Sequence, residues 1–399
     1  MIRILGRLLI VVAMVGVLAA GGYVAIALLQ PVGAIAAETA LPAVTVRDGN
    51  ALDAPSFGGS AVTVLEDAEG AVLSDGSVVR DGDRGVLPMA SITKVVTALV
   101  VLDAHPLRGR GPTLVFTAAD VARYHATLAK NGAAVPVQVG QAVRLRDALE
   151  VMLVESAGNW AESISIWAFG SEQAFLDAAD RWLEANGLYR TVIENPAGWA
   201  PNRSTSADLI ALGVIANADP VVAALVAVRH DTVPGVGEID STNELVGEHG
   251  VDGIKTGTLD RYNLLFSADR RIAGERVTII GVVLGAPSED ALNGAVTRLL
   301  DSVAGGFARV RVHPGTLAVW TAPWGSDARA MDESTQHVRV WGETGAQASV
   351  SASPAVPAGQ TPTATLTVEV AGAELQHTVV AERPIAAPDV TWLLTNPLG

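Results

Sequence analysis

Ser91–Asp103 reads SITKVVTALVVLD, and this stretch decides how the rest of the chain is read. It is apolar nearly all round, so it predicts a helix buried in a core rather than lying on a surface. Ser91 and Lys94 stand three residues apart at its start and share one helical face. A serine hydroxyl is a weak nucleophile at neutral pH and needs a base. A lysine amine can serve once its pKa is lowered. Burial lowers it, the positive potential at a helix amino end lowers it, and a second nearby cation lowers it further. Arginine could not fill the position, because it does not deprotonate in proteins.

The lysine count gives this pair weight. Of 27 Lys plus Arg, three are lysines (Lys94, Lys130 and Lys255) and the other 24 are arginines. A chain that takes arginine for generic positive charge keeps lysine where a compact or titrating amine is needed. Lys255 opens Lys255-Thr256-Gly257-Thr258, in a predicted strand followed by a turn. Its charge and the Thr256 and Thr258 hydroxyls suit a terminal carboxylate. Gly257 would leave room for a substrate backbone beside the strand. Between the two motifs lies Ser156 in ESAGNW, in a loop after a predicted helix. Ser156 is a candidate proton relay to a leaving amine, helped by Lys255. Asn159 is a candidate hydrogen-bond partner for a substrate amide. The plainer alternative makes Ser156 and Asn159 helix-capping residues.

Working outward, Leu145–Glu155, Ala174–Asn186 and Ser206–Ala216 have helical spacing, the second ending at Gly187. Ala61–Val64, a turn at Asp67–Gly70 and Ala71–Leu73 read as a hairpin. Ile254–Thr258, Asn263–Ala268 and Val277–Leu284 read as successive strands with turns at Asp260–Tyr262 and Ala273–Gly274, and Ala291–Val303 as a closing helix. Helices between an early hairpin and a late run of strands predict an α+β fold, one antiparallel sheet with a helical layer. From Arg309 on, short alternating strands (Val310–Val312, Thr316–Trp320, Val338–Trp341, Thr363–Val370, His377–Val380) predict a small all-β domain, with Ala346–Pro362 as a loop.

Arg3 and Arg7 precede Leu8–Leu29, an uncharged run long enough to cross a bilayer. The arginines predict a cytoplasmic amino end and an exported remainder. A cleaved signal peptide with Ala34-Ile35-Ala36 at its end is the competing reading. The expected organisation is a tail over 1–7, a transmembrane anchor or uncleaved signal over 8–29, a linker over 30–55, a catalytic domain over 56–305 and a β domain over 306–399. Net charge −15 argues against a nucleic-acid partner. Cysteines are absent, which excludes disulfides, thiolate catalysis and Cys-ligated metals. The seven histidines are scattered, and neither a metal nor a cofactor is expected.

The ordered set Ser-x-x-Lys, Ser156 and Lys-Thr-Gly resembles that of the serine-type penicillin-binding D-alanyl-D-alanine carboxypeptidases, the low-molecular-weight penicillin-binding proteins. LPMASITKVVTALVVLD, LRDALEVMLVESAGNWAES, ENPAGW with RSTSADLIALG, STNELVG and GVDGIKTGTLDRYNLLFSADRR are similar to that family's segments in its order, over about residues 56–305. The spacings agree too, 65 residues from Ser91 to Ser156 and 99 from there to Lys255. The resemblance implies a β-lactamase/transpeptidase-like fold. It also implies attack by Ser91 on the D-Ala-D-Ala bond of a peptidoglycan stem peptide, an oxyanion hole from the Ser91 and Thr258 N–H groups, and acylation of the same serine by β-lactams.

Two departures stand out. The family's Ser-x-Asn reads Ser156-Ala157-Gly158 here, with Asn159 one place late, and Trp160 stands where a small residue is usual and would narrow the pocket. The family's terminal amphipathic membrane helix has no counterpart in Trp392–Gly399, which shifts the expected anchoring to the amino terminus. The alternatives are a catalytically impaired envelope protein that binds peptidoglycan or a partner, and a β-lactamase. Against the latter, Glu194-Asn195-Pro196-Ala197-Gly198 lacks the Glu-x-x-x-Asn spacing of class A enzymes.

Overall fold

The computed structural model describes residues 2–47, 49–66, 78–80, 85–199, 201–272, 275–341, 346–370 and 373–397. The chain divides into a unit of Gly49–Phe307 and a unit of Met1–Asp48 with Ala308–Gly399.

In the larger unit a five-stranded antiparallel sheet runs in the order Val251–Thr258, Tyr262–Ile272, Glu275–Ala286, Gly59–Glu66, Val78–Arg80. The expected hairpin turn at 67–70 and its strand at 71–73 lie outside the described residues, as does the turn at 273–274. The described partner of Gly59–Glu66 on that side is Val78–Arg80. Leu265, Ile280 and Val282 face the main core, and Leu264, Phe266, Ile279 and Val283, alternating with them, are also buried. Both faces are therefore covered, as the apolar runs of these strands require. Helix Ser206–Ala218 lies on one face, where Gly213 lets it approach Ile280 and Leu265, and helix Glu289–Val303 packs against the same central strands.

Helix Thr93–Ala104 is preceded by a 3₁₀ turn over Ala90–Ile92, and ten of its residues are buried. It packs among helices Leu145–Val154, Gly158–Phe169 and Glu172–Ala185. The all-round apolar pattern of the opening stretch has this physical cause: neighbours surround the helix. Burying it removes about 1.5–3 kcal/mol of unfavourable hydration per large side chain.

In the smaller unit, strands Gly315–Thr321 and Asp327–Asp332, Phe307–Val312 and Gln336–Trp341, and Ala346–Ala352, Thr363–Val370 and Ala373–Val380 form three small sheets. Leu317, Trp320, Val310, Leu366 and Ile385 are buried in their core. Two expectations are corrected. Residues 30–55 are not a plain linker: Ala37–Thr39 pairs with Ala318–Trp320, and Val44–Arg47 pairs with Arg309–Val312. Residues 346–352, expected as part of a loop, are a strand paired with 364–370. Both segments are small-residue and polar. Long-range ladder hydrogen bonds, invisible to local patterning, make them strands.

Helix Ile2–Leu29 contains one span, Leu5–Leu29, apolar and long enough to cross a membrane, with a mean hydropathy of 2.5 and nearly all of its described side chains exposed, Ala27 excepted. Tyr23 donates to Leu394 O (2.6 Å) and Gln30 to Asn396 O (2.7 Å), so the short helix Val390–Thr395 docks on its carboxy-terminal half. This apolar helix indicates secretion or membrane anchoring.

Candidate active site

Ser91 and Lys94 line a cleft of about 740 Å³ whose walls also include Ser156, Gly158, Thr256 and Thr258. The three motifs, spread over 164 residues from Ser91 to Lys255, are thus brought to one cavity.

The nucleophile candidate sits on a constrained bend. Ala90 has φ +50 although it is not glycine, a left-handed conformation that costs roughly 1 kcal/mol or more and needs support from its surroundings. That support comes from the ENPAGW segment. Gly198 has φ +91, and a Cβ there would fall 2.3 Å from Ala90 O and 2.8 Å from Ser91 N. Asn195 Oδ1 accepts from Gly198 N (2.8 Å) and Trp199 N (2.9 Å). Asn202 Nδ2 donates to Thr93 Oγ1 (3.1 Å) and to Asn195 O (2.7 Å), and Thr97 donates to Pro196 O (2.8 Å). The loop and the start of the buried helix are one hydrogen-bonded block.

Within it Lys94 Nζ lies 2.8 Å from Ser91 Oγ and donates to Ala197 O at 2.6 Å. Lys94 is 2% exposed. Burial holds its pKa well below the ordinary lysine value, and the charge of Lys255 lowers it further, against a smaller opposing pull from Glu162. A neutral amine can donate to Ala197 O and still accept the Ser91 proton, which is the arrangement a serine base requires.

Lys255 is also buried, and burial lowers its pKa to about 7. It donates to Thr256 Oγ1 (3.1 Å) and Thr242 Oγ1 (3.3 Å), and those two hydroxyls are 2.6 Å apart. Thr256 and Thr258 present their side chains to the cleft from a strand whose pairing ends at Thr258↔Tyr262. Gly257 serves differently from expectation. A Cβ there would lie 2.6 Å from Met89 O and 3.2 Å from Ala90 Cβ. The missing side chain makes room for the bend before Ser91, not for a substrate.

Ser156 lies between helices Leu145–Val154 and Gly158–Phe169, with φ +58 and 6% exposure, and lines the cleft. Asn159 does not line it. Its side chain is fully buried, accepting from Val135 N (3.2 Å) and donating to Val135 O (2.9 Å). Trp160 is likewise buried, donating to Val135 O (3.0 Å) and meeting the Phe116 ring edge-on, so it does not narrow the pocket. The expectation that Asn159 replaces the missing amide is corrected. One position after Gly158 on a helix turns a side chain by about 100°, away from the cleft, and Gly158 itself faces the cavity.

Residues that the sequence reading left without roles also line or support the site: Lys130, Ala197, Trp199, Thr242, Asn263 and Glu289. The signal for Ala197, Trp199 and Thr242 was present in ENPAGW and STNELVG. For Lys130 it was the scarcity of lysine. Among the described residues no group of three metal-ligating side chains converges.

A sheet flanked by helices, with this cleft beside its edge strand, is a transpeptidase-like α+β fold. The structure is similar to that of the Streptomyces K15 DD-transpeptidase (TM-score 0.53, 22% identity, 64% of this chain and 98% of that one). It is also similar to penicillin binding protein 5 from Haemophilus influenzae (TM-score 0.57, 15% identity, 86% of this chain and 100% of that one). Residues 50–288 match the S11 peptidase model described as D-alanyl-D-alanine carboxypeptidase, and the chain belongs to that family of serine peptidases. A D-alanyl-D-alanine endopeptidase of Pseudomonas aeruginosa is 32% identical over 139 residues, which span 34% of this chain and 42% of that protein.

Proposed function

We propose that the protein is a membrane-anchored, extracytoplasmic D-Ala-D-Ala carboxypeptidase that trims peptidoglycan stem peptides through an acyl-enzyme on Ser91. The observation that carries the reading is the buried Lys94 amine 2.8 Å from Ser91 Oγ. Lys94 takes the hydroxyl proton as Ser91 attacks the carbonyl between the two D-alanines. The Ser91 and Thr258 N–H groups steady the oxyanion, each such donor contributing about 3 kcal/mol. Lys255 with Thr256 and Thr258 holds the terminal carboxylate. Ser156 passes a proton to the departing D-alanine amine, and water then hydrolyses the ester. β-Lactams acylate the same oxygen. The apolar amino-terminal helix holds the enzyme on the outer face of the membrane.

The decisive measurement is D-alanine release from a pentapeptide ending in D-Ala-D-Ala, with the wild type and with Ser91→Ala. Release by the wild type and its loss of at least about a thousandfold in the variant support the reading. Absence of release together with absence of a labelled-penicillin adduct on Ser91 sinks it. The second reading, an impaired protein retained for binding peptidoglycan or a partner, draws on Gly158 facing the cleft where the family carries an amide. An adduct that forms without turnover favours it. A cross-linked muropeptide dimer as substrate separates endopeptidase activity, the activity named for the Pseudomonas relative, from trimming, and an added amine acceptor separates transpeptidation.

A further inference from the structure

We infer that Lys130 is a specificity-determining residue, binding a carboxylate on the acyl-donor side of the substrate, upstream of the bond that Ser91 cleaves. The inference rests on the carboxypeptidase reading above. Lys94 and Lys255 are each 2% exposed, so Lys130 is the one lysine of the chain that meets solvent, and it does so on the wall of the same cleft. Its Nζ stands 5.3 Å from the ring centroid of Trp199, another lining residue. Among the described residues no carboxylate lies within ion-pair distance of it. In a chain of net charge −15, an uncompensated cation at the mouth of a substrate cleft is available to an anionic ligand.

The ammonium sits on a fixed rim. Thr127 O accepts from Lys130 N (3.1 Å) and Gly132 N (3.0 Å), and Asn131 takes φ +55. A Cβ on Gly132 would fall 2.1 Å from the Trp199 ring, so loop and indole are in close packing. Ala133 O accepts from Gly158 N (2.8 Å), and the paired bonds of Asn159 to Val135 complete the clamp. Asn159 is on this account a positioning residue for the rim that carries Lys130. Lys255, Thr256 and Thr258 on the strand wall are committed to the substrate's terminal carboxylate. A second cation on the helical wall is left for another acid. A stem peptide carries such acids upstream: the α-carboxylate of a γ-linked D-glutamate and, where the third residue is diaminopimelate, its side-chain carboxylate.

The test measures kcat/KM for D-alanine release by the full chain from three pentapeptides: both carboxylates free, the third-residue carboxylate amidated, and the glutamate carboxylate amidated. One amidation is expected to lower kcat/KM about two- to fivefold, mostly through KM, as for an exposed ion pair. The affected peptide identifies which acid is bound. Lys130→Met is expected to bring the ratio between free and amidated peptides close to one, Lys130→Arg to keep it, and added salt at about 0.5 M to shrink it. Equal rates on all three peptides with the wild type overturn the inference. So does a Lys130→Met enzyme that slows on every peptide but keeps the ratio, which would leave Lys130 as a prop for Trp199. Labelled penicillin separates the two levels: release without discrimination, with an adduct on Ser91, defeats this inference alone, whereas neither release nor adduct defeats the underlying function.

Discussion

At Ser91 the backbone is packed against the Gly198 loop, which the Asn195–Asn202 bonds hold, and the side-chain oxygen lies in hydrogen-bond range of the Lys94 amine. At Ser156, across the same cleft, the positive-φ residue is followed by Ala157 and Gly158, which offer no side-chain amide, and the neighbouring Asn159 is spent on Val135. One side of the site holds a serine and an amine in hydrogen-bond range, and on the other the nearest amide is used in a framework contact. The difference teaches that the steps depending on Ser91 and Lys94 should tolerate almost no change, while substrate anchoring near Gly158 has room to improve.

The largest effect expected from this contrast is at Lys94. Lys94→Arg keeps a cation but cannot accept the serine proton, so acylation by penicillin, followed by mass spectrometry, should slow by at least about a thousandfold. In the wild type the acylation rate should rise with pH along a limb set by loss of the Lys94 proton. Because burial and Lys255 lower that pKa, the limb should lie below the ordinary lysine range. A limb at or above it would break the contrast by denying Lys94 its role.

Next in size is Gly198→Ala. The added Cβ meets Ala90 O at 2.3 Å in a φ that disfavours side chains, so thermal or urea unfolding should show a loss of about 2–4 kcal/mol. A loss under about 0.5 kcal/mol would mean the Ser91 bend is not held as tightly as its geometry indicates.

The smallest effect sharpens the other side. At Gly158 a Cβ would find its nearest atoms at 3.4–3.5 Å, a fit that asks little of its neighbours. Gly158→Asn should raise kcat/KM for the pentapeptide about three- to tenfold, the worth of one added hydrogen bond to substrate. A fall instead would show that the altered middle motif is matched to a different substrate geometry.

Much of this arrangement is legible in local pattern. SITKVVTALVVLD announces a surrounded helix because an all-round apolar helix has no solvent face to spend. The strands at 251–258, 262–272 and 275–286 and the helix at 289–303 agree with their patterns to within a few residues. Asn159 is where local reading fails. Its distance of three residues from Ser156 says nothing about whether its amide meets the cleft or the carbonyl of Val135, a partner 24 residues away. Gly257 is similar: its need for space is visible in the sequence, but the occupant of that space, Met89 O, belongs to another element.

The sequence by itself determined the chemistry available: three lysines, a serine one helical turn before one of them, and an ordered set of motifs inside residues 50–288, the stretch that matches the S11 peptidase model. Tertiary structure decided which groups share the cavity, that Lys94 is stripped of water, and that residues 37–47 pair with strands beyond residue 307. The physical reason is range. Propensity and periodicity act over one or two turns of chain, whereas desolvation, close packing and ladder hydrogen bonds depend on neighbours that only the completed fold brings together.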